Sequence, residues 1–185
     1  MQESEAAFSL QAGAIRFGLL PIAHVGAKTI DHLYELQQKQ PFENLFDFCV
    51  RTDPRICSKR ATENLIKAGA LDFFGHDRAV LLRTLDHALG FAEKVRAFQE
   101  ESAGMFTIKP EVPDHEQAEP LTALERLDYE QEVLGFYLSG HPIEPYSQQL
   151  KSYSRLPLEL ALEQRRRVRI AGLLVSTKQI KTKKR

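Results

Sequence analysis

The feature that most constrains the fold is a run of apolar positions in the middle of the chain. Leu81, Leu85, Ala88, Ala92 and Val95 follow one another at spacings of 4, 3, 4 and 3 residues. That spacing is one continuous stripe on an α-helix and cannot lie on one face of a strand. A helix this long needs partners for its stripe, and the sequence offers several. Ile30, Leu33 and Tyr34 mark one helix, and Leu45, Phe46 and Cys49 mark a short one after Pro41. Ala61, Leu65 and Ala68 mark a third, with Ser58 as N-cap and Gly69 as its stop. Asp77 caps the long helix. The class expected is therefore mainly α. A short β-hairpin is expected at the N-terminus, where Phe8 and Leu10, then Ile15 and Phe17, alternate around Ala12 and Gly13.

Beyond the long helix the pattern weakens. Residues 99–120 hold three prolines and six acids, and read as a linker. A last helix is expected over residues 121–134, with Leu124, Leu127 and Leu134 on one side and Gly135 ending it. Near the C-terminus Val168, Ile170 and Val175 read as a strand. A lone strand cannot pair its own backbone, so the chain reads as a piece of something longer.

Charge sharpens this division. The 25 basic and 25 acidic residues cancel, but not locally. From Lys151 onward 11 basic residues face only Glu159 and Glu163, a surplus of +9, leaving −9 on residues 1–150. Residues 93–132 alone carry −7. Separated signs suggest surfaces with different tasks. With 43% hydrophobic and 27% charged residues, the chain is neither disordered throughout nor a simple basic tail. No apolar run reaches the 18 or so residues of a membrane span, and the N-terminus lacks the basic residues of a secretory signal. Two cysteines, Cys49 and Cys57, fit a reducing compartment and burial rather than a zinc site. The six histidines form no metal pattern, and Ser139-Gly140-His141 reads as a turn rather than a nucleophile–base pair.

The stretch richest in chemistry is residues 18–36, GLLPIAHVGAKTIDHLYEL. A helix end at Leu19, Leu20 and Ile22 leads through His24-Val25-Gly26 into a new helix at Ala27. This is the plan of a helix-hairpin-helix. The first amides of the second helix have no internal partner. With the helix dipole they form an anion site, to which Lys28 adds a mobile positive charge. Such a site, built from His24, Val25, Gly26, Ala27 and Lys28, would hold sugar-phosphate without reading bases. These hairpins usually carry glycine at both ends of the turn, and here His24 holds the first place. Either the turn is altered or His24 makes its own phosphate contact. Residues 65–82 repeat the architecture around Lys67 and Gly69, with contact and a purely structural role both open for this second unit. Arg165, Arg166 and Arg167 form a further candidate patch for a nucleic-acid strand.

The blocks IRFGLLPIAHVG, PFENLFDFCVRTDPR, KRATENLIKAGALD, DRAVLL and LGFYLSGHP together resemble the alpha subunits of bacterial DNA polymerase III, the C-family replicative polymerases, over essentially all 185 residues. The resemblance implies four parts. Residues 1–18 would be the end of the fingers region, and residues 19–100 a tandem helix-hairpin-helix domain on duplex DNA. Residues 101–150 would be a linker and helix with a clamp-binding motif, and residues 151–185 the start of an OB-fold for single strands. The implied clamp motif, Gln-x-x-Leu/Met-Phe, falls on Ser102, Met105 and Phe106, with Ser102 where glutamine is expected. The implied partners are DNA, the sliding clamp and other replisome subunits, in the cytoplasm and away from membranes. The parent polymerase would use Mg2+ held by acidic palm residues. Asp72, Asp77 and Asp86 are spaced like caps and surface positions, so this segment by itself is expected to hold no metal or cofactor and to lack nucleotidyl transfer. The competing reading is a helical scaffold for protein–protein contacts whose hairpins are purely structural.

Overall fold

The computed structural model describes residues 8–11, 14–101, 111–153, 163, 167–169, 172–174 and 177–179. The chain divides into two compact units, Met1–Tyr137 and Leu138–Arg185. In the first, β1 (Ser9–Gln11) pairs antiparallel with β2 (Ala14–Arg16), Leu10 opposite Ile15. Five helices follow: α1 (Ala27–Lys39), α2 (Leu45–Arg51), α3 (Lys59–Lys67), α4 (Arg78–Glu101) and α5 (Ala123–Leu134). The second unit contains a 3-10 turn, Glu144–Tyr146, and α6 (Ser147–Tyr153).

Helix α4 is the spine. Leu81, Leu85, Ala88 and Ala92 are buried to 1% exposure or less, and Val95 to 8%. The first four join Phe46 and Cys49 of α2 and Leu65 and Ile66 of α3 in one continuous core. Local sequence sets the helix ends. Asn44 accepts from the Asp47 amide at 2.9 Å and Ser58 from the Ala61 amide at 3.3 Å. Thr122 and Glu125 form a reciprocal capping box. Gly135 ends α5 in the left-handed conformation, φ 83°.

Three expectations are corrected. Leu19, Leu20 and Ile22 form no helix but tight turns, with the Ile22 amide bonded to Leu19 O at 3.2 Å. Pro21 in the middle of this stretch supplies no amide for a helical ladder. Leu124 is 44% exposed, and the buried side of α5 is Leu127, Glu130 and Val133. Residues 111–122 are no free linker. The Glu116 amide donates to Thr84 Oγ1 at 3.0 Å, the Leu121 amide donates to Asp77 Oδ1 at 3.1 Å, and the His115 ring packs edge-on against Phe46. Of the expected C-terminal strand, Val168 is in no regular element, while Ile170 and Val175 lie outside the described residues.

Candidate nucleic-acid interface

The first hairpin turn is pinned from three sides. Val25 points into the core at 4% exposure. The Ala23 amide donates to Val133 O of α5 at 2.9 Å, and Asn64 Nδ2 of α3 donates to Ala23 O at 2.5 Å. Between these anchors His24 adopts φ 62°, the one non-glycine residue with positive φ among those described. The turn is thus kept, with histidine in the left-handed conformation that glycine adopts most easily. His24 itself is exposed.

Gly26 is the N-cap of α1 and no side chain caps that terminus. The helical ladder begins with the Thr29 and Ile30 amides, both bonded to Gly26 O at 3.0 and 3.1 Å. The Ala27 and Lys28 amides precede it and are left for an external acceptor. Gly26, Ala27 and Lys28 are all exposed, and a Cβ placed on Gly26 would meet nothing within 4 Å. The hydroxyl that could have capped this end, Thr29 Oγ1, instead donates to Ile56 O at 2.8 Å. The result is an open, positively polarised backbone surface that an anion can approach closely.

The second hairpin has the same outline and the opposite state. Gly69, at φ 80°, closes α3 with its amide on Ile66 O and the Ala70 amide on Leu65 O, both at 2.9 Å. Arg78 fills the space above it. Its Nη1 donates to Lys67 O at 3.0 Å, its Nε and Nη2 grip Asp72 at 3.0 and 2.8 Å, and Nη1 lies 3.5 Å from Glu130 Oε1. A Cβ at Gly69 would fall within the guanidinium. Lys67 Nζ is engaged by Glu132 at 2.7 Å and lies over the Tyr129 ring. The following helix, α4, is already capped: Asp77 Oδ1 accepts from the Ala79 amide at 2.9 Å, and Asp77 Oδ2 takes Arg126 at 2.6 Å. Burial pushes Asp77 up, but the Ala79 and Leu121 amides and Arg126 outweigh it and hold the carboxyl below the usual carboxylate range.

Of the remaining expected site residues, Arg167 is exposed, while Arg165, Arg166, Ser102, Met105 and Phe106 lie outside the described residues. Ile143 N donates to His141 Nδ1 at 3.2 Å, in keeping with a turn at residues 139–142. Cys49 and Cys57 are buried free thiols. Sequence reasoning missed Thr29, Asn64 and Arg78, which shape the two turns through partners 11 to 41 residues away. Among the described residues no three His, Cys, Asp or Glu side chains gather as a metal site.

Residues 1–81 match the family described as "Helix-hairpin-helix motif". Over its whole length the chain is 43% identical to the DNA polymerase III subunit alpha of Halalkalibacterium halodurans. It is 33% identical to that of Bacillus subtilis over 99% of the chain, and 34% identical to that of Escherichia coli over 93%. The chain belongs to the DNA polymerase III alpha subunit family. It spans only 16 to 17% of the length of these relatives. Among the described residues no helix is long and apolar enough to cross a membrane.

Proposed function

We propose that this chain is the part of a cytoplasmic DNA-directed DNA polymerase that holds duplex DNA by its sugar-phosphate backbone. The observation that carries this reading is the uncapped, exposed N-terminus of α1 behind the left-handed turn at His24. Phosphate oxygens would accept from the Ala27 and Lys28 amides, and the Lys28 ammonium would add a point charge. Such contacts read no base edges, so binding is sequence-independent and weakens with salt. Lys67 and Gly69 are committed within the fold, and the reading rests on the first hairpin. Arg165, Arg166 and Arg167 would serve a single strand in an OB-fold that begins near residue 151. Nucleotidyl transfer, with its Mg2+ ions, would belong to other parts of the parent enzyme. Ser102, Met105 and Phe106 would dock the chain on the sliding clamp, with Met105 and Phe106 as buried anchors, and other replisome subunits would complete the assembly.

A salt titration of duplex binding by the full chain tests the main reading. Affinity should fall as salt rises, independent of sequence, and Lys28→Glu should lower it at every salt concentration. Binding that ignores both salt and Lys28→Glu would favour the scaffold reading. For the clamp, a peptide of residues 98–110 should bind in a manner that alanine at Met105 and Phe106 abolishes; binding indifferent to those two positions would remove clamp docking.

A further inference from the structure

Several cations of the first unit are engaged within the fold. Arg51, Lys59, Lys67, Arg78, Arg83 and Arg126 each have a carboxylate partner within 4 Å. Arg96 is spent on backbone carbonyls of α2, at 2.5 Å to Cys49 O and 2.8 Å to Thr52 O. Arg55 and Arg60, like Lys28, Lys39 and Lys94, have neither kind of partner among the described residues and are exposed.

Arg55 and Arg60 both belong to segments hydrogen-bonded to the first hairpin. The bond from Thr29 Oγ1 to Ile56 O holds the loop that carries Arg55 against the first turn of α1, which carries Lys28. The bond from Asn64 Nδ2 to Ala23 O holds α3 against the residue preceding His24. Arg60 stands one helical turn before Asn64, on the same face of α3. The acids nearest in sequence have other hydrogen-bond or ion-pair partners than the two guanidinium groups. Asp53 Oδ1 accepts the Arg55 amide at 2.8 Å, and Lys59 takes up Asp86 at 2.5 Å with Glu63 at 3.9 Å. Asp31 lies exposed one turn further along α1.

We infer that Arg55 and Arg60 extend the backbone-binding surface of the first hairpin, each gripping a phosphate of duplex DNA next to the one held at the α1 N-terminus. The inference rests on the proposed function. Guanidinium forks suit this task because they meet phosphate oxygens in pairs. A duplex strand carries a phosphate about every 3.4 Å along the helix axis, so neighbouring acceptors are in supply.

The test compares duplex affinity and its salt slope for four versions of the full chain: wild type, Lys28→Gln, the double variant Arg55→Gln/Arg60→Gln, and Lys39→Gln. Lys39 is a control at the opposite end of α1. All substituted residues are exposed, and coincident thermal unfolding checks the fold. The expected result is a slope shallower by about two for the double variant, with an affinity loss of about tenfold at low salt, and no change for Lys39→Gln. If the double variant keeps the wild-type slope and affinity while Lys28→Gln loses both, the inference falls and the proposed function stands. A loss for Lys39→Gln equal to that of the double variant also overturns the inference, since the effect would then be one of net charge. If Lys28→Gln and the double variant both match wild type, the proposed function falls and the inference with it.

Discussion

Replacing His24 tests the turn directly. Its φ of 62° places a Cβ in the left-handed region, which costs a non-glycine residue roughly 1–2 kcal/mol, and histidine less than most. Glycine removes that strain but gives the unfolded chain more freedom, worth roughly 0.5–1 kcal/mol against folding. Because the His24 side chain is exposed, few packing contacts enter the balance. His24→Gly should therefore stabilise by about 0.5 kcal/mol, or about 1–2 °C in Tm for a chain of this length. His24→Val should do the reverse. A β-branched side chain is an outlier at positive φ, and a loss of about 1–2 kcal/mol, or about 2–8 °C, is expected. Thermal unfolding of the full chain, followed by helical circular dichroism, gives the answer. A valine variant as stable as wild type, or a glycine variant that melts several degrees lower, would refute the reasoning. Duplex affinity of His24→Gly then decides the role of the ring: unchanged binding makes His24 a turn residue, and lost binding makes its imidazole a phosphate contact.

Two further outcomes follow from buried groups. Burial, helped by the proximity of Cys57, pushes the Cys49 thiol up to about 12, and burial also raises Cys57; neither should react with a disulfide reagent at pH 8 until the chain unfolds, and prompt modification of the native chain would contradict the core described above. His115 is held below the usual histidine range by burial and by the stacked His76 ring 4.0 Å away, against a smaller opposing pull from Asp114. Because the unfolded chain then binds the proton first, stability should fall as pH drops through about 6.5 and level off below the folded value. Denaturant titrations from pH 7.5 to 5.5 should show this slope in wild type and a shallower one in His115→Phe; equal slopes would remove His115 as the cause.

What the sequence revealed was local. The α4 stripe, the Ser58 and Asp77 caps and the stops at Gly69 and Gly135 depend on residues within a few positions of each other, and the structure has each of them. What it hid depends on distant partners. Residues 111–122 have the prolines and acids of a linker, yet Thr84, Asp77 and Phe46, at least 30 residues away, give that segment its bonds and its ring contact. For Lys67 contact and a structural role stayed open because Glu132, its ion-pair partner, lies 65 residues further on. The apolar residues before His24 suggested a helix, but Pro21 and the bond from the Ala23 amide to Val133 O shape that stretch otherwise.

The contrast between the two hairpins turns on what occupies the N-terminus of the helix that follows each. A helix N-terminus attracts any anion, and a carboxylate from the chain itself competes with a phosphate from outside. At α4 the competitor is Asp77, fixed by two amides and Arg126 and held below the ordinary carboxylate range. The neighbouring glycine is covered by Arg78, and the nearby lysine is neutralised by Glu132. At α1 the hydroxyl within reach is drawn away to Ile56, the capping position is a glycine, and Lys28 has no carboxylate partner among the described residues. Two turns of one architecture thus diverge through a few side chains. One turn is filled from within and supports α5, and the other leaves the first amides of its helix uncapped and exposed.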